Sequence, residues 1–131
     1  MKCDRLLNRE IVSEVAALGH TEYFCIADCG LPIPKGVKVI DISIKAGKPG
    51  FLDVLDAVCE ELVVESVIQA QEMDTKSPAL AEEMHQRFQN LPVQKVPHEE
   101  FKKLTERAKC IVRTGETIPY ANVILIGGVN F

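Results

Sequence analysis

The stretch TEYFCIADCGLPIPKG, residues 21–36, changes character after Ala27. Tyr23 to Ala27 is an unbroken apolar run of strand length, which predicts a strand buried on both faces. Asp28 to Gly36 cannot continue it. Two prolines lack backbone donors and two glycines loosen the chain, so the segment must be a shaped loop leaving the end of a strand.

Working outward, Asn8 is a helix cap for a segment whose residues Ile11, Val12, Val15, Ala16 and Leu18 follow helical spacing, with Gly19 stopping it as a C′ residue. Downstream, Val37 to Ile44 alternates like a strand until Gly47, Pro49 and Gly50 break it. Phe51 to Leu62 returns to helical spacing, and Val63 to Ala70 is β-branched and strand-like. Ser77-Pro78 opens a helix to about Asn90. Val93 to Val96 is a short strand and His98 to Ala108 a helix with Glu99 and Glu100 in its first turn. Cys110 to Arg113 and Asn122 to Ile126 are the closing strands. This alternation predicts an α/β fold: residues 1–131 as a single domain, with a mostly parallel or mixed sheet flanked by helices.

Composition narrows the function classes. The chain has 131 residues, 26% charged, and a net charge of -4, which disfavours a nucleic-acid partner. No apolar run is long enough for a membrane span, and MKCDRLLNRE carries charges where a signal peptide needs apolar residues. The expectation is a cytoplasmic protein. Cysteines at 3, 25, 29, 59 and 110 form no CxxC pair. Cys25 and Cys29 lack a matching second pair for zinc, so no metal and no disulfide are expected, and the thiols read as buried and reduced. Walker, GxGxxG, GxSxG and HExxH motifs are absent, and Gly127-Gly128 lies too near the end to open a phosphate-binding helix. No cofactor is expected.

The polar residues that remain suit acid/base and hydrogen-bonding work. His20 follows a helix end, where the dipole favours the protonated ring, and is either an acid/base group or a cap on helix carbonyls. Asp28 ends a strand where ligands gather in open α/β sheets, and otherwise anchors its own turn. Tyr120 and Asn122, two apart in an extended segment, would share a face. They suit sugar hydroxyls or simple turn packing. His98 aims into a cleft or is a poor cap. His85, Lys35 and the acidic pairs Glu60-Glu61 and Glu82-Glu83 read as solvated surface.

Leu18-Gly19-His20, the run from Ala27 to Pro34, Arg113 to Glu116 and Pro119 to Leu125 together resemble the ribose pyranases. The L-fucose mutarotases of the same family differ at the GLPIP and PYAN positions. The resemblance implies interconversion of the pyranose and furanose forms of D-ribose. It makes His20 the proton donor and Asp28, His98, Tyr120, Ala121 and Asn122 the substrate contacts. It further implies a homodecamer of two pentamers, with the cleft where neighbouring subunits meet. Opening a hemiacetal needs acid and base but no redox change, so the chemistry suits a chain without cofactor motifs. Three other readings compete: a mutarotase for another monosaccharide such as L-fucose, a non-catalytic ribose-binding partner of a transporter or kinase, and a purely structural scaffold.

Overall fold

The computed structural model describes residues 1–131. Its six strands are β1 (Tyr23–Ala27), β2 (Val39–Asp41), β3 (Val64–Ala70), β4 (Val93–Val96), β5 (Ala108–Arg113) and β6 (Val123–Gly127). They join one sheet in the order β2-β5-β1-β6-β3-β4. β6 runs antiparallel to both β1 and β3, while the pairs β1–β5, β2–β5 and β3–β4 are parallel. The sheet is therefore mixed, with the single reversed strand inside it. In consequence the start of β6 lies beside the carboxyl ends of β1 and β3.

Side-chain alternation in β1 explains why it is central. Phe24 and Ile26 enter one core, and Tyr23, Cys25 and Ala27 enter the other, all five being buried. The first core is roofed by α1 (Arg9–Ala17), α2 (Phe51–Cys59), the single turn α3 (Glu72–Lys76) and α4 (Pro78–Arg87), through Ile11, Phe51, Leu55, Met73 and Met84. The second is covered by α5 (His98–Leu104), through Phe101, and by the loop after β1, through Leu31, Ile33 and Val37. Arg87 fastens α4 to α2 with two bonds to Asp56 at 2.6 and 2.9 Å.

Several local readings need correction. Asn8 does cap α1, accepting from Ile11 N at 3.0 Å, but Gly19 is not the left-handed residue. Leu18 ends the helix in an extended conformation, and Thr21 takes the positive φ of 68°. The strand expected over Val37–Ile44 shrinks to Val39–Asp41, and it stops at Asp41 because its only neighbour, β5, ends at Arg113. α2 stops at Cys59, three residues short of Leu62. α3 is an added turn that the sequence pattern does not mark. The helix expected over His98–Ala108 ends at Leu104 and tightens into a 3₁₀ turn, Thr105–Arg107, before β5 begins at Ala108. Nor are all five thiols buried: Cys3 is exposed, and Cys29 and Cys59 are half-buried. Burial pushes the Cys59 thiol up to about 11 and Cys110 to about 12, so both stay protonated and act as packing groups.

Candidate functional site

Topology brings four of the expected site residues to one end of the sheet. Asp28 leaves β1, His98 follows β4, and Tyr120 and Asn122 precede the reversed β6. Together with Gly30, Leu31 and Pro32 they line a cavity of about 200 Å³. That is smaller than the pockets that hold drug-sized ligands, and matches a small polar one.

Asp28 and Asn122, 94 residues apart, are joined twice. The Asp28 backbone N–H donates to Asn122 Oδ1 at 2.9 Å, and Asn122 Nδ2 donates to Asp28 Oδ2 at 3.1 Å. Asp28 Oδ1 also accepts from Gly30 N at 2.9 Å, so the carboxylate that anchors the turn is the one that lines the cavity. Its two oxygens retain free lone pairs, and Asn122 retains one N–H. Those groups can receive and donate to hydroxyls.

Tyr120 reaches the same cavity by a different route from the one expected. It is not extended: its φ is 62°, a left-handed conformation rare for a tyrosine. The turn is held from outside by Ser77 Oγ, which donates to Pro119 O at 2.6 Å rather than capping α4. Asn122 N closes the turn onto Tyr120 O at 2.9 Å. Ala121, between them, buries its side chain in the core, so only its backbone can serve a ligand. The His98 ring stands edge-on to Tyr120, with centroids 5.0 Å apart, and stacks on Phe101. Glu72 holds the His98 backbone: both carboxylate oxygens accept from its N–H at 3.0 Å. His98 Nδ1 is buried without a partner in the chain. His85 and Lys35 are exposed, as expected.

His20 is not in this cavity. It precedes β1, whereas Asp28 follows it, and five extended residues put roughly 17 Å between the two ends. His20 instead lies at the rim of a second cavity of about 320 Å³, formed with Leu18, Leu62, Val63, Gly127 and Phe131. There its Nε2 bonds Glu65 Oε2 at 2.8 Å. Within one chain the expected proton donor and the expected substrate contacts are thus at opposite ends of the sheet's strands.

Residues without a role at the sequence level support the cavity. Thr114 donates through both N and Oγ1 to Ala27 O, at 3.0 and 2.8 Å. The Arg113 guanidinium clasps Cys29 O at 3.1 and 2.9 Å, Asp41 Oδ2 at 2.8 Å and Ser43 Oγ at 2.9 Å. Hydrogen bonds from Ser43, and then Arg113, hold the Asp41 carboxyl below the usual aspartate range. Arg113→Ala would free the carbonyl next to Asp28. It is expected to weaken ligand binding in the cavity several-fold and to cost about 1–3 kcal/mol of stability, measured by urea unfolding. Asp41 contributes above its ordinary pKa and loses that contribution as pH falls through the lowered value. The variant's deficit should therefore narrow in acid; a deficit independent of pH would count against the Asp41 contact.

No helix is long and apolar enough to cross a membrane. No three His, Cys, Asp or Glu side chains are grouped so as to hold a metal.

Known proteins match this frame along its whole length. The chain is 50% identical over all 131 residues to D-ribose pyranase of Geobacillus thermodenitrificans, covering 99% of that protein. It is also 50% identical to D-ribose pyranase of Bacillus cytotoxicus, over the whole of both chains. The solved structure of Bacillus subtilis RbsD complexed with D-ribose superposes with a TM-score of 0.97 at 44% identity, over the full length of both. A fucose mutarotase from Streptococcus pneumoniae, solved with L-fucose, shares the fold at a TM-score of 0.71, with 20% identity over 95% of this chain and 94% of that one. Residues 1–130 match the model of the RbsD / FucU transport proteins, and with relatives at this identity and coverage the chain belongs to the RbsD / FucU transport protein family.

Proposed function

We propose that this chain is a D-ribose pyranase, an isomerase that interconverts the β-pyranose and β-furanose forms of D-ribose. The observation that carries the reading is the doubly bonded Asp28–Asn122 pair, which fixes hydroxyl-binding groups beside Tyr120 and His98 in a small cavity. Relatives named D-ribose pyranase at 50% identity support the substrate.

The reaction follows from hemiacetal chemistry. The bond between C1 and the ring oxygen breaks as that oxygen takes a proton. The anomeric hydroxyl loses its proton toward Asp28 or water, and C1 becomes a carbonyl. Closure through the neighbouring hydroxyl reverses both transfers and gives the other ring size. Asp28 and Asn122 hold hydroxyls while Tyr120 and His98 confine the open chain, so that reclosure competes with escape.

The proton donor is His20, and it has to come from another copy. The two strand ends of one sheet cannot approach each other, but a neighbouring copy can bring its His20 end against the Asp28 end. Head-to-tail contacts of that kind close into rings, which suits the decamer of two pentamers. The five unpaired cysteines suit a reducing, cytoplasmic location.

The test is NMR exchange spectroscopy on D-ribose labelled at C1. Faster pyranose–furanose exchange with the native protein is the expected result, with L-fucose anomers exchanging at their uncatalysed rate. Saturable ribose binding without faster exchange would replace this reading with that of a non-catalytic binding partner.

A further inference from the structure

Three irregularities of the backbone meet at His20, and the placement of donor and neighbours suggests that they serve one contact. The first is in β3. Val64 pairs with Gly127 and Ser66 with Ile126, so Glu65 is the extra residue of a bulge. Side-chain parity agrees, since Val64 and Val67, three apart, pack against the same core. Bulges of this type re-aim a side chain, and here the re-aimed side chain is Glu65.

The second is Gly127-Gly128. A Cβ on Gly127 would stand 2.7 Å from Gly19 O, and one on Gly128 would stand 3.2 Å from Glu65 Cβ. These glycines allow the His20 turn and the Glu65 bulge to close on the end of β6. The third is Thr21, whose positive φ turns the chain between His20 and β1 while its N–H bonds Gly127 O at 2.9 Å. The product of all three is the 2.8 Å contact between Glu65 Oε2 and His20 Nε2, both side chains being about half exposed in the single chain.

We infer that Glu65 is a positioning residue for His20: it holds Nε2–H, fixes the ring's orientation, and leaves Nδ1 as the atom that delivers the proton. The inference rests on His20 being the proton donor. With Nε2 committed to Glu65, a protonated ring has only its Nδ1–H to give. Without Glu65 the ring rotates, and the donating nitrogen is in place for a fraction of the time.

Glu65→Ala is expected to lower kcat about 10- to 100-fold, the range typical of outer partners that orient a working imidazole, with KM unchanged. Glu65→Gln, which keeps an acceptor oxygen, should fall between. In a His20→Ala background, Glu65→Ala should cause no further loss. The imidazole ¹⁵N signals give a readout independent of activity, and only three histidines need assigning. The neutral His20 ring should carry its proton on Nε2 in the native protein and divide between tautomers in Glu65→Ala. Native kcat in Glu65→Ala, or an equal further loss in the His20→Ala background, would overturn the role. A His20→Ala variant with native exchange would overturn the donor reading beneath it, and is told apart because the native protein's Nε2 signal would persist.

Discussion

Replacing His20 by alanine is expected to slow pyranose–furanose exchange by about 10²–10⁴-fold, the usual contribution of a positioned general acid, while ribose still protects the Asp28 cavity. The separation of effects follows from the fold. His20 lies at the opposite end of β1 from Asp28, and its removal leaves the Asp28–Asn122 bonds untouched. The same geometry makes a sharper statement about assembly. If each site takes His20 from one copy and Asn122 from the next, two inactive variants can complement each other. His20→Ala mixed with Asn122→Ala, unfolded together and refolded, should recover activity at about a quarter of sites under random association into a head-to-tail ring. Exchange rate and subunit mass, measured on the same mixture, check it. A mixture as inactive as its components, in a fully assembled oligomer, would mean that the two ends do not meet.

How far the sequence can be read depends on the range of each interaction. The Asn8 cap is legible because it acts three residues away, on Ile11. The β1 strand and the loop after it are legible because apolar runs and prolines act on their own backbone. Asp28, Tyr120 and Asn122 stand out as polar groups beside strand ends. The bonds that unite them span 94 residues, and no local pattern encodes such a register. The supporting roles of Arg113, Ser77, Glu72 and Glu65 are illegible for that reason. Each is an ordinary surface-type residue until the sheet order places a carbonyl, an amide or an imidazole beside it. The overlong strand at Val37–Ile44 marks the reverse error, since alternation persists in the sequence where the neighbouring strand has already ended. Tyr120 illustrates the same limit. An i, i+2 relation predicts a shared face only in extended chain, and the Ser77–Pro119 bond belongs to a turn instead. The distance between His20 and Asp28 is legible, because the apolar strand Tyr23–Ala27 lies between them; that Tyr120 and Asn122 join the Asp28 end follows only from the reversed direction of β6, which single-sequence patterns do not contain.

The Asn122→Asp substitution tests the site's electrostatics with almost no change of shape. One oxygen of the new carboxylate could still accept from Asp28 N. Its other oxygen would face Asp28 Oδ2 at the place where Asn122 Nδ2 now donates at 3.1 Å. Two ionised carboxylates at that distance repel by about 5 kcal/mol at an effective dielectric near 20. Asn122 is only 1% exposed, so water cannot screen the pair well. The pair relieves the repulsion by holding one proton between its oxygens, which raises the pKa of one carboxyl above its unfolded value. The sign is then set. The stability of the protonated pair is fully present below the ordinary carboxylate pKa of about 4 and is lost as pH rises through the raised value. Urea unfolding should therefore find the variant near native stability in acid and several kcal/mol weaker at neutral pH. The deficit of Arg113→Ala narrows in acid too, but there an attraction is lost, whereas here a repulsion is removed. A stability deficit equal at every pH would show that the Asp28–Asn122 contact is steric packing and not the hydrogen-bonded pair on which the site is built.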